Sequence, residues 1–303
     1  MRKSVLGNDP FERGAAPPPS PVRVSKVGRR AKSEPRSPRP VSNAGAAEAV
    51  VKSPPQASRP TEAATVSWTA PPAPASPVGW LFKFLFEQYW RVRVEGSDQV
   101  PTGPCLLIAN HAGALPLDGA MVAMALQRTR PDLPEPRWLA EEQILGFPIL
   151  GGTLFELGAV GASFQNGLKL LREGRTVLVF PEGTQGLSKP IFERYQLKRF
   201  GRGGFLRLAF ETQAPVVPVG VVGGEEAMPA LGKLPGALGL PYVPLTVPPL
   251  PTRWTIRFGS PLKLEASTEA WDDETLQRQT EIAKDSVQAL VKALLAERQS
   301  LFW

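Results

Sequence analysis

From residue 97 onward, short apolar runs alternate with longer stretches of helical period. The runs CLLIAN (105–110), PRWLA (136–140), TVLVFPEG (176–183), APVVPVGVVG (214–223) and TRWTIRFG (252–259) have the length and apolar content of buried strands. Between them, residues 118–128, 144–158, 165–174, 204–213 and 275–299 repeat their apolar positions every three to four residues and read as helices. Gly158 and Gly174 sit where helix ends favour glycine, and Asp118 is placed to cap the first of these helices. The alternation predicts an α/β fold: a mostly parallel central sheet flanked by helices. The prolines of 214–223 suggest an edge strand or a bulge. In such sheets ligands gather at the C-terminal ends of the strands.

The preceding segments have other patterns. Residues 1–77 are rich in Pro, Ala, Ser and basic residues, as in GAAPPPSPVRV and TAPPAPASP. They have too little apolar surface to offset ordering entropy and read as a disordered tail. Residues 78–303 form the folded domain. It opens with an aromatic amphipathic helix over 78–93, where Trp80, Leu81, Phe84, Leu85 and Tyr89 recur near helical spacing and Phe82, Phe86 and Trp90 widen the apolar face. Such a helix packs on the domain, on a bilayer surface, or on both. The Pro-rich apolar stretch 231–251 reads as a loop that covers an acyl channel, dips into a bilayer or packs on the core.

Charge narrows the partners. The chain carries a net charge of +7, which by itself suggests nucleic acid or anionic membrane. Residues 1–78 hold 12 Lys/Arg against 5 Asp/Glu, and the remaining 23 basic and 23 acidic residues balance. The charge therefore belongs to the tail, and no nucleic-acid partner is expected. One Cys and one His leave too few ligands for a zinc site and exclude an internal disulfide, so no metal is expected. No run of eighteen apolar residues suggests a membrane span, and the N-terminus lacks the apolar core of a secretory signal. The expected location is the cytoplasmic face of a membrane, in peripheral contact.

The chemistry concentrates at two strand ends. The first ends in Asn110-His111, with Asp118 seven positions after the histidine; the second ends in Phe180-Pro181-Glu182-Gly183-Thr184. Adjacent parallel strands would bring both turns to one edge. A neutral imidazole can take the proton from an alcohol as it attacks a thioester. A carboxylate on its other nitrogen fixes the tautomer and stabilises the imidazolium. The Pro-Glu-Gly-Thr turn offers backbone N–H groups to a phosphate or an oxyanion. No Gly-x-Ser-x-Gly elbow accompanies them, so the acyl group would pass directly to the acceptor.

NHAGALPLDG together with FPEGTQG, followed by Val217-Pro218-Val219, resembles the glycerolipid acyltransferase superfamily of the bacterial 1-acyl-glycerol-3-phosphate acyltransferases. Three motifs in family order, over roughly residues 78–265, carry the resemblance. It implies that His111 is the general base and Asp118 its partner. Asn110, Phe180, Pro181, Glu182, Gly183 and Thr184 would line the acceptor site. The donor would be acyl-CoA, or acyl-carrier protein as a protein partner, and the acceptor a lysophospholipid or lysophosphatidate. No bound cofactor is expected, the acyl donor being a co-substrate. Lys198, Arg199 and Arg202 precede the helix at 204 and would suit an anionic group of either substrate.

Two departures from the family pattern stand out. Its common spacing is His-x4-Asp, whereas this chain has His-x6-Asp with Pro116 inside. Branches nearer to diacylglycerol acyltransferases carry a similar, longer loop. The arginine that often follows the LGA segment is absent from GASFQNG (161–167). Diacylglycerol or another lipid alcohol is therefore an alternative acceptor, and a non-catalytic lipid-binding protein the alternative of another class. Glu225-Glu226 reads as a solvated or capping pair, and Cys105 as a buried small apolar residue.

Overall fold

The computed structural model describes residues 76–302, apart from 114, 147, 188, 230–245, 247 and 266–270. The tail before residue 76 and most of the 231–251 loop lie outside the described residues. The strands are β1 (Arg93–Glu95), β2 (Cys105–Ala109), β3 (Arg137–Ala140), β4 (Ala159–Gly161), β5 (Thr176–Val179), β6 (Val216–Val222) and β7 (Thr255–Phe258). They form one sheet in the order β1-β7-β6-β2-β5-β3-β4. Every neighbouring pair is parallel except β6–β7, which is antiparallel. The mostly parallel sheet expected from the alternation is present.

β2 lies near the middle of the sheet, paired with β6 on one side and β5 on the other. All five of its residues are buried, as expected of a strand covered on both faces. Leu107 and Ala109 belong to one core with Val217, Val219 and Val221, and with Phe82, Phe86, Trp90 and Met121 from the segments before and after β2. The opposite face is covered by α9 (Asp273–Glu297). A Cβ on Gly220 would stand 2.9 Å from Cβ of Leu290, so α9 crosses β6 at a distance that only glycine permits. Asp272 caps α9 by accepting the Thr275 N–H at 2.8 Å, a polar start for a helix whose Ala283, Val287, Val291 and Leu294 are buried.

Several elements differ from expectation. β6 is interior, although its proline suggested an edge. The Val221 N–H faces β2, where it meets Asn110. By strand alternation Pro218 therefore faces β7. That ladder ends at Val219↔Phe258, so the N–H that proline lacks falls beyond it. The aromatic helix α1 spans Pro77–Phe84, continues through one wider turn to Tyr89, and stops there. Arg91 has φ 47, which breaks the helical path, and the next residues form β1 instead of extending to 93. The helix expected over 144–158 is two, α3 (Glu142–Leu145) and α4 (Pro148–Glu156). Proline disfavours helical backbone in the residue before it. Asp118 lies inside the first turn of α2 (Leu117–Thr129) and does not cap it. The other helices are α5 (Phe164–Arg172), α6 (Thr184–Leu187), α7 (Gly204–Thr212) and α8 (Gly224–Ala227).

Candidate active site

β2, β5 and β6 run parallel and side by side, so their C-terminal ends open onto one edge. Asn110 and His111 leave β2, the Phe180–Thr184 turn leaves β5, and α8 follows β6. Asn110 is fully buried. Its amide donates to the Val221 carbonyl at 2.9 Å and accepts the Val221 N–H at 2.8 Å. The side chain thus continues the β2–β6 ladder by one step and fixes where the histidine starts. The Asn110 side chain, expected beside the substrate, thus sits against the end of β6.

His111 Nδ1 lies 2.8 Å from Asp118 Oδ2. A carboxylate only accepts, so the contact suits the tautomer with its proton on Nδ1 and a free lone pair on Nε2. The longer spacing is accommodated by a loop that folds back. Gly113 takes φ 104, and a Cβ there would lie 2.8 Å from the Gly224 carbonyl oxygen. Asp118 is fully buried. It also accepts the Ala112 and Gly119 N–H groups, each at 2.8 Å, and the N-terminus of α2 favours its negative charge. The imidazole stacks on Phe180, with centroids 4.3 Å apart and planes 11° apart. Its rotation is therefore held from the face as well as the edge.

Glu182 is 4% exposed. One carboxylate oxygen accepts the His111 N–H at 3.0 Å and the other the Lys198 N–H at 2.7 Å. This is an anchoring position. Gly183 has φ 55, which turns the chain from β5 into α6, where Thr184 is the first residue. Pro181 opens that turn. Lys198 pairs with Glu193 through its ammonium. Arg199 and Arg202 are exposed, and neither they nor Lys198 line the cleft that holds the histidine.

That cleft is bounded by His111, Pro116, Trp138, Leu139, Ile144 and Phe180, with Glu141 also on its wall. It is mostly apolar. Trp138 is seated by Gly119, where a Cβ would come within 2.3 Å of the indole ring.

Sequence reasoning missed the charged groups behind the histidine. Lys189 lies between Glu225, at 2.8 Å, and Glu182, at 3.3 Å. Glu226 is bonded to the Tyr195 hydroxyl and, at 2.9 Å, to Arg298. Both glutamates are buried, which corrects the reading of a solvated or capping pair. Burial pushes the Glu225 carboxyl up to about 7, with Lys189 pulling against it. Burial also raises the Tyr195 hydroxyl well above its ordinary value, and lifts the Cys105 thiol to about 11. The cysteine is the buried residue expected. The one available signal for the glutamates was their place directly after a continuously apolar strand, where a solvated pair would be out of context.

The acyltransferase family matches this chain over residues 91–222. The chain belongs to the glycerolipid acyltransferase superfamily. It is 37% identical, over 74% of its length and 67% of theirs, to uncharacterized proteins of Mycobacterium tuberculosis and Mycobacterium bovis. It is 27% identical to a probable 1-acyl-sn-glycerol-3-phosphate acyltransferase of Mycoplasma pneumoniae, over 50% of this chain and 56% of that protein. The crystal structure of the 1-acyl-sn-glycerophosphate acyltransferase PlsC from Thermotoga maritima aligns over 70% of this chain and 76% of that one, with 21% identity and a TM-score of 0.45.

Proposed function

We propose that the protein moves a fatty acyl group from acyl-CoA or acyl-carrier protein to a lipid hydroxyl, with His111 as general base. The observation that carries this reading is the 2.8 Å contact between His111 Nδ1 and Asp118, at the mouth of an apolar cleft. Nε2 takes the proton of the acceptor hydroxyl as its oxygen attacks the thioester carbonyl. Asp118 stabilises the imidazolium that forms. The tetrahedral intermediate then expels the thiolate, which leaves with the proton as free thiol. An ester and a thiol result, and no acyl-enzyme forms.

The acceptor in this reading is a lysophospholipid or lysophosphatidate. A neutral lipid alcohol is the second reading. The described residues that line the cleft include the carboxylate of Glu141 and no lysine or arginine, which favours an uncharged headgroup beside the histidine.

Contact with a membrane is part of the proposal. Trp80, Leu81 and Phe84 are 65%, 46% and 41% exposed, whereas Phe82, Phe86 and Trp90 on the same segment are buried. The exposed residues form an aromatic face with Lys83 among them, suited to the interfacial layer of a bilayer. Among the described residues no helix is long and apolar enough to cross a membrane. The tail before residue 76 is proposed as a tether.

The test is thiol release from palmitoyl-CoA with a panel of lysophosphatidate, lysophosphatidylcholine, monoacylglycerol and diacylglycerol. His111→Ala is expected to abolish release while leaving the circular dichroism spectrum intact. Full activity in that variant overturns the mechanism. Lipid binding without thiol release in either form would make the protein a binding module.

A further inference from the structure

Lys189 belongs to none of the motifs that mark the family, yet it is 5% exposed. Its ammonium is 2.8 Å from Glu225 Oε1, 3.3 Å from Glu182 Oε2 and 3.4 Å from the His111 carbonyl oxygen. The partners come from three separate segments: the loop after β2, the turn after β5 and the start of α8 after β6. Each carboxylate also holds backbone. Glu182 accepts the His111 and Lys198 N–H groups, and Glu225 accepts the Tyr195 N–H at 2.9 Å through its second oxygen. Tyr195 sits at φ 65, a conformation that a side chain of its size adopts only when its surroundings impose it.

Stability alone is a weak reason for such a cluster. Taking each charge out of water costs several kcal/mol, and apolar residues of similar volume often stabilise a fold as well or better. Charged hydrogen bonds supply direction: they fix distances between segments that apolar contact would leave free to slide. The segments fixed here are the ones that meet at the histidine.

We propose that Lys189 and Glu225 are positioning residues for acyl transfer: they hold Glu182, and through it the backbone of His111, so that the imidazole stands at the cleft in its reactive place. This inference rests on His111 being the base. Neither residue touches the reacting atoms. Glu225 orients the ammonium, the ammonium balances Glu182, and Glu182 takes the His111 N–H. Gln288 of α9 braces the far side, donating to the Tyr195 carbonyl and accepting the Leu197 N–H, both at 2.9 Å.

The chain has one histidine, so full-length untagged protein gives a single imidazole signal in NMR without assignment. Lys189→Met alone leaves two buried acids facing each other and can unfold. The charge-balanced Lys189→Met/Glu225→Gln variant avoids this. It is expected to fold and to keep its KM for palmitoyl-CoA, with the panel acceptor of highest turnover as co-substrate. Its kcat is expected to fall about 10–100-fold, the usual cost of losing an outer support, and its imidazole signal to shift or broaden. Lys189→Arg should recover part of kcat. Wild-type kcat in the double variant overturns the proposal, and so does a fall in kcat with an unmoved histidine signal. His111→Ala separates the two readings. If it is dead while the double variant is fully active, only the positioning role falls; if it is active, the base assignment falls.

Discussion

Asp118 and Glu182 are two buried acids that grip adjacent residues. Asp118 accepts the Ala112 N–H and Glu182 the His111 N–H. The difference lies in what else each one holds. Asp118 reaches the imidazole and sits in the first turn of a 13-residue helix, whose N-terminus favours its charge. Glu182 never meets the ring; it ends on backbone and on Lys189. A base at the tip of a loop needs two kinds of control. One fixes its tautomer and the other fixes its place. Here they are divided between two carboxylates, one in the first turn of α2 and one in the turn after β5.

The division can be broken by substitution at each acid. Asp118→Asn can present its NH2 group to Nδ1 and so impose the wrong tautomer. Its kcat is expected to fall about 10⁴-fold, as when a buried orienting acid is neutralised in a hydrolase triad. Its cost in stability should be about 1–2 kcal/mol: the NH2 that faces Nδ1 also faces the Ala112 N–H, while the remaining oxygen still accepts from Gly119. Glu182→Gln should show the opposite balance. It leaves Lys189 short of a counter-charge and turns an NH2 group toward a backbone donor. Unfolding in urea should then show a loss of about 3 kcal/mol, in the range for breaking a buried pair. Its kcat should fall less, about 10–100-fold. If Glu182→Gln proves the more damaging for kcat and the milder for stability, the contrast is wrong.

How much of this could be read from the sequence follows from what each signal encodes. The interior strands, the histidine with its aspartate and the 180–184 turn were legible because strand burial and motif spacing are local. β1 and β4, of three residues each, were not, because nothing distinguishes so short a strand from a loop until a neighbour pairs with it. Pro218 misled for a related reason: its tolerance depends on where the β7 ladder stops, which is a tertiary fact. Asn110 was noticed beside the histidine, but its bonds run to Val221, 111 positions away. The 189–225 pair was invisible on the same ground. A single lysine before a proline carries no local mark of burial, and the two glutamates carry only their place after an apolar strand, which does not name a partner. The expectation of a continuous helix through 93 failed at Arg91, where the edge strand β1 draws the backbone away toward β7.

Gly186 tests the positional half of the comparison with a smaller effect. A Cβ there would lie 2.8 Å from Cβ and 3.0 Å from Cδ2 of His111, and 2.8 Å from Cβ of Glu182. Gly186→Ala must push one of these aside. Its backbone is helical, so the substitution is not strained by φ. The expected outcome is a loss of about tenfold in kcat, a fraction of what a full 1 Å misplacement costs, with the Asp118 contact intact. A larger loss in Gly186→Ser and none in a control substitution at exposed Gln196 would support placement as the cause. Wild-type kcat in Gly186→Ala would mean that the ring tolerates displacement.

The last effect leaves kcat aside and concerns pH and stability. In the folded protein the Glu225 carboxyl is raised from 4.5 to about 7, chiefly by burial. The folded state therefore holds this proton more tightly than the unfolded chain does. The stabilisation from this group is complete below pH 4.5, is lost as pH rises toward 7, and stays lost above it. At about 1.4 kcal/mol per unit, the change amounts to at most about 3 kcal/mol. Lys189 works in another window, because its raised pKa gives stability that disappears only in strong alkali. Glu225→Gln cannot titrate. Between pH 5 and pH 8, urea unfolding should show wild type losing stability relative to this variant. Parallel curves for the two proteins would mean that Glu225 stays ionised throughout, with Lys189 compensating its burial in full.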